Sequence, residues 1–475
     1  MSRGWRLRAM RKEAGAAVEK RAGDFRRLQA LGLIPLDGDF YPVVHYPGIT
    51  MYPPAGEEDL FRGYTPPADG RISVYVHIPF CGRRCHFCHY PVTVGASDGD
   101  KAAYLDALAL EARLYRRRLG LDRPKVSSVL VGGGTPTFLP PALLARFLED
   151  FTSQFDLSGA PQFSYDVDPG TLLGPEGGER LRILKAHGVG RLTIGLQSLD
   201  DGVLGRMNRA HDSAAALRAV EAARAAGFKL NIEFIYGYPG DTMETWTATV
   251  RRAAALGVEE VQLYRIKLIP YGDHAGFFSR GVARPQTPPE EVFRMKQAAQ
   301  LLLEEAGYTE NLRRVFSKDP ADFSRYAHDQ CCGLVDQIGL GLTAFSSLRD
   351  RFALPTADLK EYYALLAAGR LPVNRGLVRG AAAQAVWAFV LPLKNRRVIK
   401  GHFKRLTGRL PGEIFGARIA RLKEAGLLYE DAAKLELTPE GAFFADEVCH
   451  QFYQPEFMPF GRGAYAPGPL NPYLV

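Results

Sequence analysis

Cysteine is scarce in this chain: six residues in 475. That is too few for a disulfide scaffold of the kind small secreted domains rely on. Long apolar runs are lacking as well. No stretch of about 18 apolar residues occurs, so a membrane-spanning helix is not expected. The N-terminus is rich in arginine but has no apolar core, so a secretory signal is not expected, and Glu13, Glu19 and Asp24 argue against an organellar transit peptide. There is no low-complexity tract and no internal repeat beyond alternating strand and helix. Apolar residues make up 46% and charged residues 24%, which excludes a disordered or collagen-like chain. What remains is a cytoplasmic protein of two or three units, at about 100–200 residues each.

The formal charge of +8 is unevenly placed. Residues 1–30 carry nine Lys/Arg against three Asp/Glu, and residues 391–425 carry ten against two. The body between and beyond them is therefore acidic. A basic total thus gives little support to nucleic-acid binding by the whole surface.

Five stretches follow from the patterning. Residues 1–70 read as a basic helix to about Leu31 and a Pro/Gly/Tyr-rich extended arm. Residues 71–285 alternate strands (72–78, 126–131, 162–167, 191–196, 230–236, 260–264) with helices (101–118, 141–153, 179–186, 213–226, 242–255). Six short, β-branched strands alternating with helices imply a parallel sheet covered on both faces. A doubly wound sheet and a partial (β/α)6 barrel both fit; motifs at the strand ends favour the barrel, whose sites gather at the carboxyl ends of its strands. Residues 286–379 read as an extension of the barrel near the substrate cleft. Residues 380–451 read as a small α+β winged-helix-like domain, with helices at 381–391, 398–406 and 412–425 before a hairpin. Residues 452–475 read as a strap.

Three of the cysteines stand together after the first strand, in Tyr75-Val-His-Ile-Pro-Phe-Cys81-Gly-Arg-Arg-Cys85-His-Phe-Cys88-His-Tyr90. Thiolates at this C-x3-C-x2-C spacing can hold three irons of a [4Fe–4S] cube. A fourth local cysteine is missing, which leaves one iron open to a ligand. Zinc held by the same thiolates with His86 or His89 fits the spacing equally well, and three packed free thiols are the plainest alternative.

The ordered motifs around this loop resemble radical S-adenosylmethionine (SAM) enzymes, in the group containing oxygen-independent coproporphyrinogen III oxidase. They are Tyr75–Cys81, Val131-Gly-Gly-Gly-Thr-Pro-Thr137, Arg191–Asp201, Asn208-Arg-Ala-His211 and Asn231–Gly240. The resemblance spans about residues 71–350 and the small C-terminal unit. It implies that Cys81, Cys85 and Cys88 bind a [4Fe–4S] cluster, which delivers an electron to SAM. It further implies that Gly132, Gly133, Gly134 and Thr135 meet the amino and carboxylate groups of SAM, that Asp166, Asp168, Gln197, Arg209 and Glu233 surround it, and that Gly237 lines the adenine. Tyr75 is expected beside the cofactor. The residues themselves allow plainer readings: a tight turn for the glycines, a solvated strand end for Asp166 and Asp168 (two apart on one face of the third strand), and a surface ion pair for Arg209. His77 reads as structural, and adjacent Cys331 and Cys332 as small apolar groups or a substrate-proximal thiol.

The resemblance fixes radical initiation rather than the substrate. Asn311-Leu-Arg-Arg-Val-Phe316 departs from the oxidase pattern, and Tyr90 stands where the oxidase has an extra cysteine. The reading is therefore methyl transfer or cyclopropanation of a small hydrophobic or aromatic metabolite, with one or two SAM molecules. The alternatives are coproporphyrinogen decarboxylation and a heme-binding chaperone. The basic segment with Lys394, Arg396, Arg397, Lys400, Lys404, Arg405 and Arg409 is a candidate face for nucleic acid, but a domain of this kind in the family caps the substrate cleft. The basic ends are instead assigned to an acidic electron donor such as flavodoxin or ferredoxin.

Overall fold

In the computed structural model, which describes residues 3–67, 69–267 and 287–474, one twelve-stranded sheet organises the chain. Its centre is six parallel strands in chain order: β1 (Arg71–Ile78), β2 (Lys125–Gly133), β3 (Gln162–Val167), β4 (Arg191–Gln197), β5 (Lys229–Tyr236) and β6 (Glu260–Arg265). Helices Asp98–Leu119, Pro141–Gln154, Gly177–Ala186, Ser213–Ala225 and Met243–Ala255 lie between consecutive strands. This is the partial (β/α)6 arrangement expected from the sequence, and most strand and helix ends fall within one to three residues of the pattern. The expected edge of this unit at residue 285 lies outside the described residues.

Alternation along the strands explains where the chemistry sits. Ile72, Val74, Val76 and Ile78 of β1 join the main apolar core with Val126, Val129 and Val131 of β2 and with the covering helices. The opposite face carries Ser73, Tyr75 and His77, and parallel register sets Tyr75 beside Leu130 and His77 beside Gly132. The same face continues through Ser164 and Asp166, Arg191 and Thr193, Asn231 and Glu233, and Glu260 and Gln262. One face is thus apolar and helix-covered, and the other is a polar lumen. Its lower end is closed by a fully buried ion pair of Arg191 with Glu260. The two charges neutralise each other there, as burial requires.

Later segments extend both sheet edges. β7 (Thr309–Leu312) pairs antiparallel with β8 (Val315–Ser317), which pairs antiparallel with β6; β9 (Gln337–Leu340) adds parallel to β1, followed antiparallel by β10 (Ser346–Leu348), β11 (Arg351–Pro355) and β12 (Val373–Val378). Near the C-terminus, helix Ala381–Lys394, β13 (Arg397–Ile399), helices Lys400–Thr407 and Pro411–Glu424, β14 (Leu428–Glu430) and β15 (Lys434–Leu437) follow in order, with sheet order β13-β15-β14. That is a winged-helix topology. The helix expected over 398–406 starts only at Lys400; Val398 and Ile399 pair instead with Leu435 and Lys434. The N-terminal segment is less open than an extended arm: Phe40, Tyr41, Val43, Tyr46 and Tyr52 are all buried.

The basic C-terminal segment is not one charged face. Lys394 is buried and donates to the carbonyls of Val43 (2.6 Å) and Val44 (3.2 Å), while Lys400 pairs with Glu430 at 2.9 Å. Two of the seven cations named for that face are therefore spent inside the molecule.

Candidate functional site

The loop leaving β1 carries Cys81, Cys85 and Cys88 as free thiols, each partly buried. The turn leaving β2 runs directly beside it. Gly134 N–H donates to Ile78 O and Thr135 N–H to Phe80 O, both at 2.8 Å. Each of the three glycines is demanded by a different neighbour. A Cβ on Gly132 would stand 2.4 Å from Asp166 Oδ2, one on Gly133 2.9 Å from the His77 ring, and one on Gly134 2.9 Å from Cys81 Sγ. Gly133 also has φ +114°, a conformation that disfavours any side chain. The run is therefore more than a convenient turn. It allows the thiol loop, the β1 lumen face and Asp166 to meet at one place. His77, read as structural, supports this turn; burial lowers it to about 4 and keeps its ring neutral.

Arg209 ties the parts together. Its Nη1 donates to Cys85 Sγ at 3.2 Å, and Nη2 donates to Asp168 Oδ2 (2.8 Å) and Gly195 O (2.7 Å). The side chain is almost wholly buried, so the surface ion pair that the sequence also allowed is excluded. Burial alone would lower this guanidinium, but Asp168 and then Cys85 outweigh it and hold it above its ordinary value.

Asp168 corrects the sequence reading. β3 ends at Val167, and Asp168 is the N-cap of a short helix, Pro169–Leu173, accepting from Gly170 N–H at 2.9 Å. Proline at the first helical position is the signal that marks such a cap. Asp166 and Asp168 therefore do not share a strand face. Asp166 alone faces the lumen, where the Thr193 hydroxyl bonds to it; burial, then the charge of Glu233, push it well above the usual carboxylate range. Glu233 accepts from Tyr264 O–H at 3.1 Å, and burial raises it to about 7. Gln197 closes β4 in a left-handed conformation (φ +67°) at a register shift, with its amide folded towards Gly195. Gly237, also left-handed (φ +76°), ends β5 and packs against Val292. Thr135 Oγ1 lies 3.6 Å from Cys81 Sγ.

Tyr75 is lumen-facing, its hydroxyl 3.2 Å from His77 Nδ1 and its ring 6.2 Å from that of Tyr326. Tyr264, Tyr326 and Thr193 belong to this site but were missed in the sequence. Tyr326 has no motif around it; Thr193 and Tyr264 could have been found by counting alternate residues along β4 and β6. Cys331 is buried, and burial pushes the Cys332 thiol up to about 12, which suits packing better than nucleophilic use.

The loop fits the cluster that the resemblance implies. Three thiols line one short segment, a glycine at 134 clears space at Cys81, and a buried guanidinium faces Cys85. Among the described residues no three Cys, His, Asp or Glu side chains converge as a single-ion site requires. His86 Nδ1 is instead bonded to Arg206 O at 2.9 Å. The zinc alternative with His86 therefore has no geometric support. Three sulfurs that each meet a different iron need not converge on one point.

A family model of the radical SAM superfamily matches residues 75–253. Over 404 residues the chain is 25% identical to the oxygen-independent coproporphyrinogen III oxidase of Pseudomonas aeruginosa, spanning 80% of this chain and 85% of that protein. It is 25% identical over 389 residues to the heme chaperone HemW of Bacillus subtilis, spanning 80% and 98%. The solved structure of the Escherichia coli coproporphyrinogen III oxidase (HemN) superimposes with a TM-score of 0.71 at 24% identity, covering 82% of this chain and 90% of that one. At that identity the likeness speaks for the fold. A [4Fe–4S] cluster and SAM follow as the cofactors. Residues 75–253 thus match the radical SAM superfamily, and over four fifths of its length the chain is similar to proteins of the HemN- and HemW-like group.

Proposed function

We propose that Cys81, Cys85 and Cys88 hold the [4Fe–4S] cluster and that SAM lies across the carboxyl ends of β2 to β5. The observation that carries this reading is the meeting of Gly132 with Asp166 and of Gly134 with Cys81. When bound, the two cofactors supply one-electron cleavage of a sulfonium bond and hydrogen abstraction from carbon. The protein's own contribution is placement. The open backbone of Gly132–Thr135 admits the amino and carboxylate groups of SAM. Asp166 and Glu233 offer carboxylates to a cation, Gln197 and Gly237 close the far wall, and Tyr75 packs beside it. Arg209 and Asp168 orient the cysteine loop by holding each other and Cys85.

For the substrate, the relatives that match most of the chain are named for coproporphyrinogen III oxidation and heme binding. Neither name speaks for the methyl transfer or cyclopropanation favoured by the sequence reading. The better-supported reading is oxidative decarboxylation of a coproporphyrinogen-type tetrapyrrole in the lumen. A heme-binding role is the second reading, favoured by the match that spans 98% of the HemW chaperone. Among the described residues no helix is long and apolar enough to cross a membrane, and the reading places the chain in the cytoplasm with a flavodoxin- or ferredoxin-like electron donor. The five-part division of the chain belongs to the same reading, with the 286–379 segment supplying the sheet edges and the winged-helix unit beside them.

Anaerobic incubation of the reconstituted protein with reductant, SAM and coproporphyrinogen III tests the substrate. Loss of two carboxyl groups supports the oxidase reading. S-adenosylhomocysteine formed with 5′-deoxyadenosine, and no decarboxylation, restores methyl transfer.

A further inference from the structure

Opposite β1, at the β6–β8 side of the lumen, stands an arginine that the site described so far does not use. Arg314 precedes β8 and has φ +71°, a left-handed backbone that is unfavourable for a residue bearing a side chain. Its carbonyl accepts from Leu263 N–H at 2.9 Å, which registers it on β6, and its guanidinium carbon lies 5.1 Å from the centre of the Tyr264 ring. Tyr264 in turn donates to Glu233. Arg314 is thus one aromatic ring away from the carboxylates of the SAM site.

No carboxylate pairs with this guanidinium among the described residues. The nearby acids are engaged elsewhere. Asp446 is ion-paired with Arg313, and Glu310 accepts from the Arg314 backbone N–H (2.8 Å) and from Gln300 (3.1 Å). Other cations crowd the region. Arg265 donates to Gly38 O at 3.1 Å and stacks on Phe40, Lys394 is held by Val43 and Val44, and Lys296 donates to Phe443 O without a carboxylate partner. Burial, and then Arg313, disfavour the charge on Arg314. Five cations, Arg265, Lys296, Arg313, Arg314 and Lys394, thus face three nearby acids, Glu310, Asp446 and Glu447. Uncompensated buried charge is costly unless a counter-ion meets it. The planar fork of Arg is suited to a carboxylate.

We propose that Arg314 is the anchor of a carboxylate-binding subsite, taking a carboxylate of the tetrapyrrole substrate on the β6–β8 wall of the lumen. This rests on the substrate reading above. The cation would fix the orientation of the ring system relative to Tyr75 and the SAM site, and so decide which carbon meets the hydrogen-abstracting centre. The Arg-Arg pair that departs from the oxidase pattern then has a division of labour: Arg313 holds the winged-helix unit through Asp446, and Arg314 is left for the ligand.

The test uses the reconstituted holoenzyme and two probes, coproporphyrin III and its uncharged tetramethyl ester, followed by fluorescence titration. The wild type should bind the free acid at least tenfold more tightly than the ester. Arg314→Gln should lose most of that preference without changing ester binding, and Arg314→Lys should recover part of it. Substrate-free SAM cleavage should stay at the wild-type rate in both variants, which separates this subsite from the radical machinery and shows that the variants fold. Equal acid and ester binding by the wild type, or an unchanged preference in Arg314→Gln, overturns the subsite. Preserved acid preference without decarboxylation would instead overturn only the reaction assigned above.

Discussion

Arg209 donates to the sulfur of Cys85 at 3.2 Å. The contact joins the β4–β5 side of the sheet to the cysteine loop across 124 residues of sequence, and it places a permanent positive charge against a sulfur proposed as a cluster ligand. Replacing Arg209 by leucine removes that charge and leaves Asp168 without its partner. The variant should bind less iron and reduce its cluster at a more negative potential, with SAM cleavage at least tenfold slower. Arg209→Lys should recover part of the loss. Iron content and a dithionite titration give the readouts.

Gly134 is the position where added bulk meets a cysteine directly. A Cβ there would lie 2.8 Å from Phe80 O and 2.9 Å from Cys81 Sγ. Gly134→Ala should destabilise the protein by about 1–3 kcal/mol, the usual cost of overpacking. It should also lower cluster occupancy, while Gly63→Ala, at an open left-handed turn, should leave occupancy unchanged.

Glu233 carries a pH signature. Burial raises it to about 7 from its ordinary 4.5, so between those pH values the folded chain holds a proton there that the unfolded chain has released. Its favourable contribution is fully present below pH 4.5 and is lost as pH rises towards 7. Asp166 is shifted in the same direction. Glu233→Gln should flatten the fall in stability of the apo protein over pH 4.5–7, by on the order of 1–3 kcal/mol. A stability profile as steep as that of the wild type contradicts this. SAM, a sulfonium cation, should favour the ionised form and bind more tightly as pH rises through 7.

Much of this was legible in the sequence because its causes are local. Alternating apolar residues set β1 to β6, and capping residues set the helices: Ser97, Asp212 and Thr242 each accept from the third residue of the helix they start. The cysteine spacing and the glycine run could be read for the same reason. What the sequence hid depends on partners far along the chain. Lys394 looked like part of a basic face, yet it is consumed by carbonyls some 350 residues away. Asp168 looked like a strand residue because period-two spacing was counted past the end of β3, although the following proline marks a helix start. The Arg313–Asp446 pair spans 133 residues, and no pattern announces it.

That pair makes its own prediction. Arg313 is buried against Asp446, which also accepts from Val43 N–H at 2.8 Å. Arg313→Ala removes the cation paired with Asp446 and leaves its carboxylate only the unpaired Arg314 nearby, at a cost of up to about 5 kcal/mol. The melting temperature should fall accordingly, and adding Asp446→Asn should restore part of it. A double variant less stable than the single one would show that the two residues are not coupled in this way.

Three cysteines on the β1 loop and the glycine turn of β2 are proposed to form one SAM-cleaving centre. Anaerobic reconstitution with iron and sulfide, reduction, and addition of SAM tests it most directly. Four irons per chain and release of 5′-deoxyadenosine are expected, with both lost in Cys81→Ala, Cys85→Ala and Cys88→Ala. A loaded four-iron cluster that leaves SAM intact, or cleavage that survives loss of these cysteines, would contradict it.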